Sequence, residues 1–141
     1  MLYRIVLFLS LLLPLLSFGA GLQSPAEARK LSDQASVLFK DEKFVEGFGL
    51  FKASWPMAPV ELDGLVNQIN TQWPVVRQRF GTAVGIEFVK EETIGDSFLR
   101  YTYIHKFQNH AIKWVFLFYK PKDVWLVNGV SFDDQYQTLF H

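Results

Sequence analysis

Residues 80–89 have the sequence FGTAVGIEFV, and within this stretch the spacing of apolar residues changes from a helical to a strand period. Before Gly81, apolar side chains recur every three or four residues, as they do on one face of a helix. After it, Val84, Ile86 and Phe88 alternate with small or polar residues. The change therefore predicts helices before Gly81 and β-strands after it.

Turn residues divide the second half of the chain into segments of strand length. Strands are predicted near residues 84–89, 98–107, 111–120 and 125–132, with Gly, Pro, Asn and Asp between them. The pair Asn128-Gly129 is also a strong hairpin signal. We favour one unbroken last strand with a bulge at Gly129, because the arms of a hairpin there would be too short to cover the preceding strand. A meander of about four antiparallel strands results.

Three helices are predicted before this sheet. Ser24-Pro25-Ala26-Glu27 has the residues of a helix start, with Ser24 as cap and Glu27 able to reach back to it, and the first helix runs to about Lys40. A short second helix places the phenylalanines of residues 44–51 on one face. The third helix covers residues 59–80, with a kink or restart expected before Pro74. Helices followed by an antiparallel sheet predict an α+β domain at residues 24–141.

The predicted third strand is apolar on both faces, so we expect other parts of a protein to pack against each face. One face carries Ile112, Trp114, Phe116 and Phe118, and the other carries Val115, Leu117 and Tyr119. If helices cover only one face, the other exposes an apolar patch of the kind that marks a partner surface. Val115, Leu117 and Tyr119 are therefore candidate interface residues, for a homodimer or another protein.

The segment at residues 119–127, YKPKDVWLV, combines a turn with a Trp-bearing strand. Together with the order of elements, it resembles the nuclear-transport-factor-two-like and cystatin-like folds, and small exported Gram-negative proteins of unassigned activity. The resemblance implies a curved sheet around a conical cavity and a dimer. Enzymes of this fold place a base and a Tyr donor in the cone, which makes Tyr101, Tyr103 and His105 candidates; Trp114 joins them as a candidate ligand-binding residue.

The first residues have the pattern of a secretory signal peptide. A positive start at residues 1–4 precedes an apolar run of about 14 residues and a small-residue stretch that begins at Gly19. The run is shorter than the roughly 20 residues that cross a bilayer, so cleavage of residues 1–19 is favoured over an uncleaved anchor. We therefore expect a periplasmic or secreted protein, with membrane contact only if the signal remains attached.

Composition excludes several classes of chemistry. The 141 residues include no cysteine, which rules out disulfides, thiol catalysis and Cys-based metal sites. The 14 basic residues equal the 14 acidic ones without a basic cluster, which argues against a nucleic-acid partner. His105 and His110 lack an evident third ligand, so neither a metal site nor a cofactor is expected.

The hypothesis that fits this pattern best is a non-enzymatic periplasmic module that binds a small apolar ligand or another protein. An isomerase- or dehydratase-like enzyme that uses the His/Tyr set is one alternative, and a membrane-anchored envelope factor is another. No motif in the sequence specifies the ligand, a reaction or the biological partner.

Overall fold

The computed structural model describes residues 21–140, so the predicted signal peptide at residues 1–19 lies outside the described residues. Three helices lead the described chain: α1 (Pro25–Lys40), α2 (Phe44–Gly49) and α3 (Pro59–Phe80). They pack against four antiparallel strands in the order β1-β2-β3-β4, which confirms the predicted α+β class. The strands are β1 (Ala83–Ile94), β2 (Phe98–Phe107), β3 (Ala111–Tyr119) and β4 (Leu126–Asp133). Short 3-10 turns occupy Lys52–Ser54 and Tyr136–Leu139.

Helix α1 begins where its capping residues predict. The Glu27 N–H donates to Ser24 Oγ at 3.2 Å, and Pro25 occupies the first turn, where no donor is needed. The Glu27 carboxylate accepts from the N–H of Gln23 at 2.6 Å, one residue before the expected partner Ser24. Side chains therefore accept hydrogen bonds from the backbone N–H groups of both Gln23 and Glu27 at the start of the helix.

Helix α3 runs without interruption through Pro74, so of the kink or restart predicted there, the restart does not occur. Pro74 cannot donate to the carbonyl of Asn70, but both residues are exposed, and water can hydrogen-bond to that carbonyl. Ile69 and Trp73 are buried on the opposite side and hold the helix against the core. The helix ends at Gly81, whose φ of 88° is the left-handed conformation that glycine adopts most easily.

Strand β4 shows the predicted bulge instead of a hairpin. Leu117 faces Gly129 and Phe118 faces Val127, so Asn128 is the extra residue on β4. A second bulge lies in β1, where Phe88 faces Tyr103 and Lys90 faces Thr102, with Val89 between them.

The inner face of the sheet and the three helices enclose one aromatic core. Phe39 of α1 lies at its centre, with its ring centroid 4.5 Å from that of Trp114 and 4.8 Å from that of Phe48. The inner residues of β2 and β3 are buried in the alternating pattern predicted for them. They are Leu99, Tyr101, Tyr103, His105 and Phe107, and Ile112, Trp114, Phe116 and Phe118.

The beginning of the described chain is joined to the sheet. The backbones of Leu22 and Trp125 exchange two hydrogen bonds of 2.9 and 2.8 Å, immediately before β4 begins. Gly21 is buried, and a β-carbon at this position would collide with the side chain of Val124. This close approach requires glycine.

Candidate functional site

The four residues predicted to bind a ligand lie together on the inner face of the sheet. Tyr103 faces Trp114 across β2 and β3, and Tyr101 and His105 flank Tyr103 along β2. All four side chains are buried, and Tyr101, His105 and Trp114 are completely so. The structure therefore brings the predicted set together, but within the packed core.

Hydrogen bonds occupy the hydroxyl groups of both tyrosines. Tyr101 donates to the carbonyl of Pro25 at 2.9 Å, and burial raises its pKa to about 12. Tyr103 donates to the carboxylate of Asp33, which also accepts from Arg29 Nε at 2.9 Å. Burial, and then this hydrogen bond, raise the pKa of Tyr103 above its ordinary value. Both hydroxyl groups thus connect the sheet to helix α1 as neutral donors.

His105 has an asymmetric environment. The indole N–H of Trp114 donates to His105 Nδ1 at 3.3 Å, which places the imidazole proton on Nε2. Among the described residues, neither His105 Nε2 nor the indole nitrogen of Trp73 has a hydrogen-bond partner. Burial lowers the pKa of His105 to about 4, and the positive charge of Lys40 adds to this effect, so the ring is neutral near pH 7.

The three interface candidates separate on the outer face of the sheet. Val115 is half-buried and faces the chain that follows β4, whereas Leu117 and Tyr119 lie toward the opposite end of β3. Tyr119 stacks on Phe98 with ring centroids 4.8 Å apart, and Ile94 beside Phe98 is 71% exposed. We call Ile94, Phe98, Leu117 and Tyr119 the apolar end of the outer face.

The C-terminal segment, residues 134–140, covers the other end of the outer face. His110 Nε2 lies 3.4 Å from the carboxylate of Asp134, and its ring packs edge-on against Tyr136 at 5.3 Å. Lys113 Nζ donates to Thr138 Oγ1 at 3.2 Å. These contacts hold the segment above the start of β3.

Between this segment and the sheet lies a cleft of about 230 Å³ with an almost entirely apolar lining. We call it the apolar cleft. Its lining residues come from β1, β2, β3 and the C-terminal segment: Val89, Ile104, Ala111, Tyr136, Leu139 and Phe140. Val89, the extra residue of the bulge in β1, is part of this lining.

A second hollow, of about 260 Å³, adjoins the apolar cleft through Leu139, which lines both. It carries three cationic side chains, Lys90, Arg100 and Lys113, and one carboxylate, Glu92. Arg100 donates twice to Glu92, at 3.0 and 2.9 Å, and this pairing lowers the pKa of Glu92. We call this space the cationic hollow.

The sequence interpretation missed both spaces. The C-terminal segment forms the 3-10 turn Tyr136–Leu139, and the Gln135 N–H donates to Asp133 Oδ1 at 2.7 Å. Where this turn packs could not be read from the sequence. Ala111, Lys113 and Val115 follow one another on one face of the strand. This pattern was the available sequence signal for a surface on which apolar and charged side chains adjoin.

Residues 21–140 contain no group of three or more His, Asp or Glu side chains placed to hold a metal ion. Within the same range, no helix has the length and apolar character needed to cross a membrane. Comparison of the chain with protein-family models, curated proteins and solved structures gives no significant match.

Proposed function

We propose that this chain is a non-enzymatic binding module, exported from the cytoplasm, that holds a small apolar ligand in the apolar cleft. The observation that carries the proposal is the cleft itself: side chains of three strands and of the C-terminal segment converge on one apolar space. Ligand sites of soluble proteins are typically concave and mostly apolar. The volume of about 230 Å³ suits a ligand smaller than a typical drug molecule.

Burial of the His/Tyr set favours binding over catalysis. A general base must come within hydrogen-bond reach of its substrate, and His105 is completely buried. Its pKa of about 4 also makes it a weak base. The isomerase- or dehydratase-like alternative requires an opening of the core that would bring a substrate to His105. If the amide hydrogens of β2 exchange with solvent as slowly as those of β3, this enzymatic alternative is contradicted.

Export rests on the pattern of residues 1–19, and so does the alternative of a membrane-anchored envelope factor. Both place the same folded domain outside the cytoplasm. The intact mass of the exported protein distinguishes them, since cleavage removes the mass of these residues. A full-length mass would contradict the cleaved form.

Ligand binding in the apolar cleft predicts a localised response to a neutral probe. Titration with 1-octanol should shift the methyl resonances of Val89, Ile104, Ala111 and Leu139 and leave those of the core residue Val127 in place. Ala111→Phe should fill the cleft and weaken binding about tenfold, because a bulky side chain replaces the ligand. The matched control Val84→Phe adds the same ring on exposed β1 and should leave the affinity unchanged. Uniform shifts, or none, would refute the proposal.

The apolar end supports a second candidate function, association of two copies of this chain. A two-fold contact uses the same patch on both partners, and aromatic and Arg side chains are enriched at interfaces. The apolar end offers the stacked Phe98 and Tyr119, and the pair formed by Arg100 and Glu92 adjoins it, so that each copy presents both charges to the other.

Light scattering during size-exclusion chromatography tests this association. Wild-type protein should give the mass of two chains at high concentration, and Ile94→Glu or Leu117→Glu should give that of one, because a buried unpaired carboxylate opposes contact. Val84→Glu is the matched control, since Val84 is 62% exposed on the same strand as Ile94 but away from the patch. A wild type that remains a single chain throughout would exclude the dimer.

A further inference from the structure

We infer that Asn128 is a site of spontaneous deamidation, at which the chain itself converts a side-chain amide into a carboxylate on the edge of the sheet. This modification goes beyond the proposed function and does not depend on the ligand of the apolar cleft. Three observations carry the inference: Gly129 follows Asn128, the pair lies at the bulge of β4, and β4 is an edge strand.

The chemistry needs only these two neighbouring residues and water. The backbone nitrogen of Gly129 loses its proton and attacks Cγ of Asn128, and ammonia leaves as a cyclic succinimide forms. Water then opens the ring at either carbonyl carbon, which gives aspartate or isoaspartate without oxidation or reduction. Glycine favours the attack, because it has no β-carbon to hinder the nitrogen or to restrict the backbone.

The neighbours of Asn128 distinguish it from the other asparagines, since all four in the chain are exposed. Asn67 and Asn70 lie within α3, where helical hydrogen bonds hold the backbone, and Asn109 precedes a histidine. Asn128 is the one that precedes glycine. Within the described part of the chain, no group hydrogen-bonds to its side chain, so the amide carbon can turn toward the backbone nitrogen.

The bulge in β4 loosens the peptide that has to move. Asn128 is the extra residue of the bulge and has no partner on β3, and a bulge interrupts the ladder of hydrogen bonds locally. On its other side β4 has no neighbouring strand in the described sheet, because it is the last strand in the order. The backbone at Asn128 can therefore rotate toward the geometry of the ring more easily than that of a paired residue.

The bulge also accommodates the product. Isoaspartate lengthens the backbone by one carbon atom, and an unpaired residue can take up this length without a shift in the pairs of Val127 with Phe118 and of Gly129 with Leu117. The new carboxylate joins Asp133, the one charged residue of β4. Charge on an edge strand opposes pairing with another chain, so deamidation protects this edge.

Incubation of the intact protein, followed by digestion and peptide mass spectrometry, tests the inference. The peptide that contains Asn128 should gain the mass difference between water and ammonia and should contain isoaspartate, whereas the peptide with Asn109 should remain unchanged. The rate should rise with pH, because the attacking nitrogen must lose its proton. The folded protein should convert Asn128 within about tenfold of the rate in the urea-unfolded chain, since the bulge leaves the backbone able to rotate.

Gly129→Ala should slow the conversion at least about tenfold, because a β-carbon hinders the attack. That β-carbon would lie 3.8 Å from Leu117 Cβ, an ordinary contact, so the variant should fold, and urea unfolding checks this. Gly64→Ala, at an exposed position of α3, is the matched control and should leave the rate unchanged. Equal rates in the wild type and Gly129→Ala would overturn the inference. Conversion of Asn128 in the unfolded chain alone would overturn it as well.

Discussion

Lowering the pH from 7 to 5 should reduce the free energy of unfolding by about 2 kcal/mol through His105 alone. The pKa of His105 is about 4 in the folded protein against 6.5 for the exposed side chain, because burial opposes the charged ring. The unfolded chain therefore takes up the proton first. The contribution of His105 to stability is complete above pH 6.5 and is lost as the pH falls toward 4.

Urea unfolding at several pH values measures this effect, and His105→Phe provides its control. The variant cannot take up the proton, so its free energy of unfolding should change much less between pH 7 and 5 than that of the wild type. It should be less stable than the wild type at pH 7, since the Trp114 N–H loses its acceptor. Equal losses in wild type and variant would show that other groups cause the pH dependence.

Gly47→Ala should lower the free energy of unfolding by about 2 kcal/mol, although alanine is the better helix former by about 1 kcal/mol. A β-carbon at Gly47 would lie 2.7 Å from Phe39 Cδ1 and closer still to Cε1. The Phe39 ring cannot move aside, because the rings of Phe48, Trp114 and Phe116 surround it. Thermal or chemical unfolding measures the loss.

Gly49→Ala is the matched control in the same helix. Among residues 21–140, and apart from its chain neighbours and the backbone of its own helix, no atom lies within 4 Å of a β-carbon built at Gly49, so this substitution should leave the stability unchanged or raise it by up to about 1 kcal/mol. Opposite signs for the two variants would establish that close packing against Phe39, and not helix propensity, requires Gly47. If both variants gained stability, the contact between α2 and Phe39 would not be as described.

Periodicity was sufficient to predict the sheet, because each strand has one face that must be buried. The register of β2 and β3 follows from alternate residues such as Tyr103 and Trp114, and a shift by one residue would expose the entire set. At Pro74 the proline rule left a kink and a restart of the helix as alternatives. It gives the lost hydrogen bond correctly, but the packing of Ile69 and Trp73, which depends on residues distant in sequence, keeps α3 in one piece.

The candidate site depended more on tertiary structure. Alternation along β2 places Tyr101, Tyr103 and His105 on one face, and the structure has them there, but the pattern does not show how completely the helices bury them. It also could not predict where the C-terminal segment lies, since residues 134–140 have little periodicity of their own. The bulge at Val89, which brings Lys90 to the same outer face as Val89, has no sequence signal comparable to Asn128-Gly129.

The pairing of Leu22 with Trp125 has a consequence for the order of events during synthesis. Neighbouring strands of this sheet are consecutive in sequence, so each hairpin can form soon after its second strand leaves the ribosome. Leu22 is made about a hundred residues before Trp125, and its backbone groups have no partner until Trp125 is available. Closure of Leu22 onto the sheet is therefore possible only after all of β1, β2 and β3 have been made.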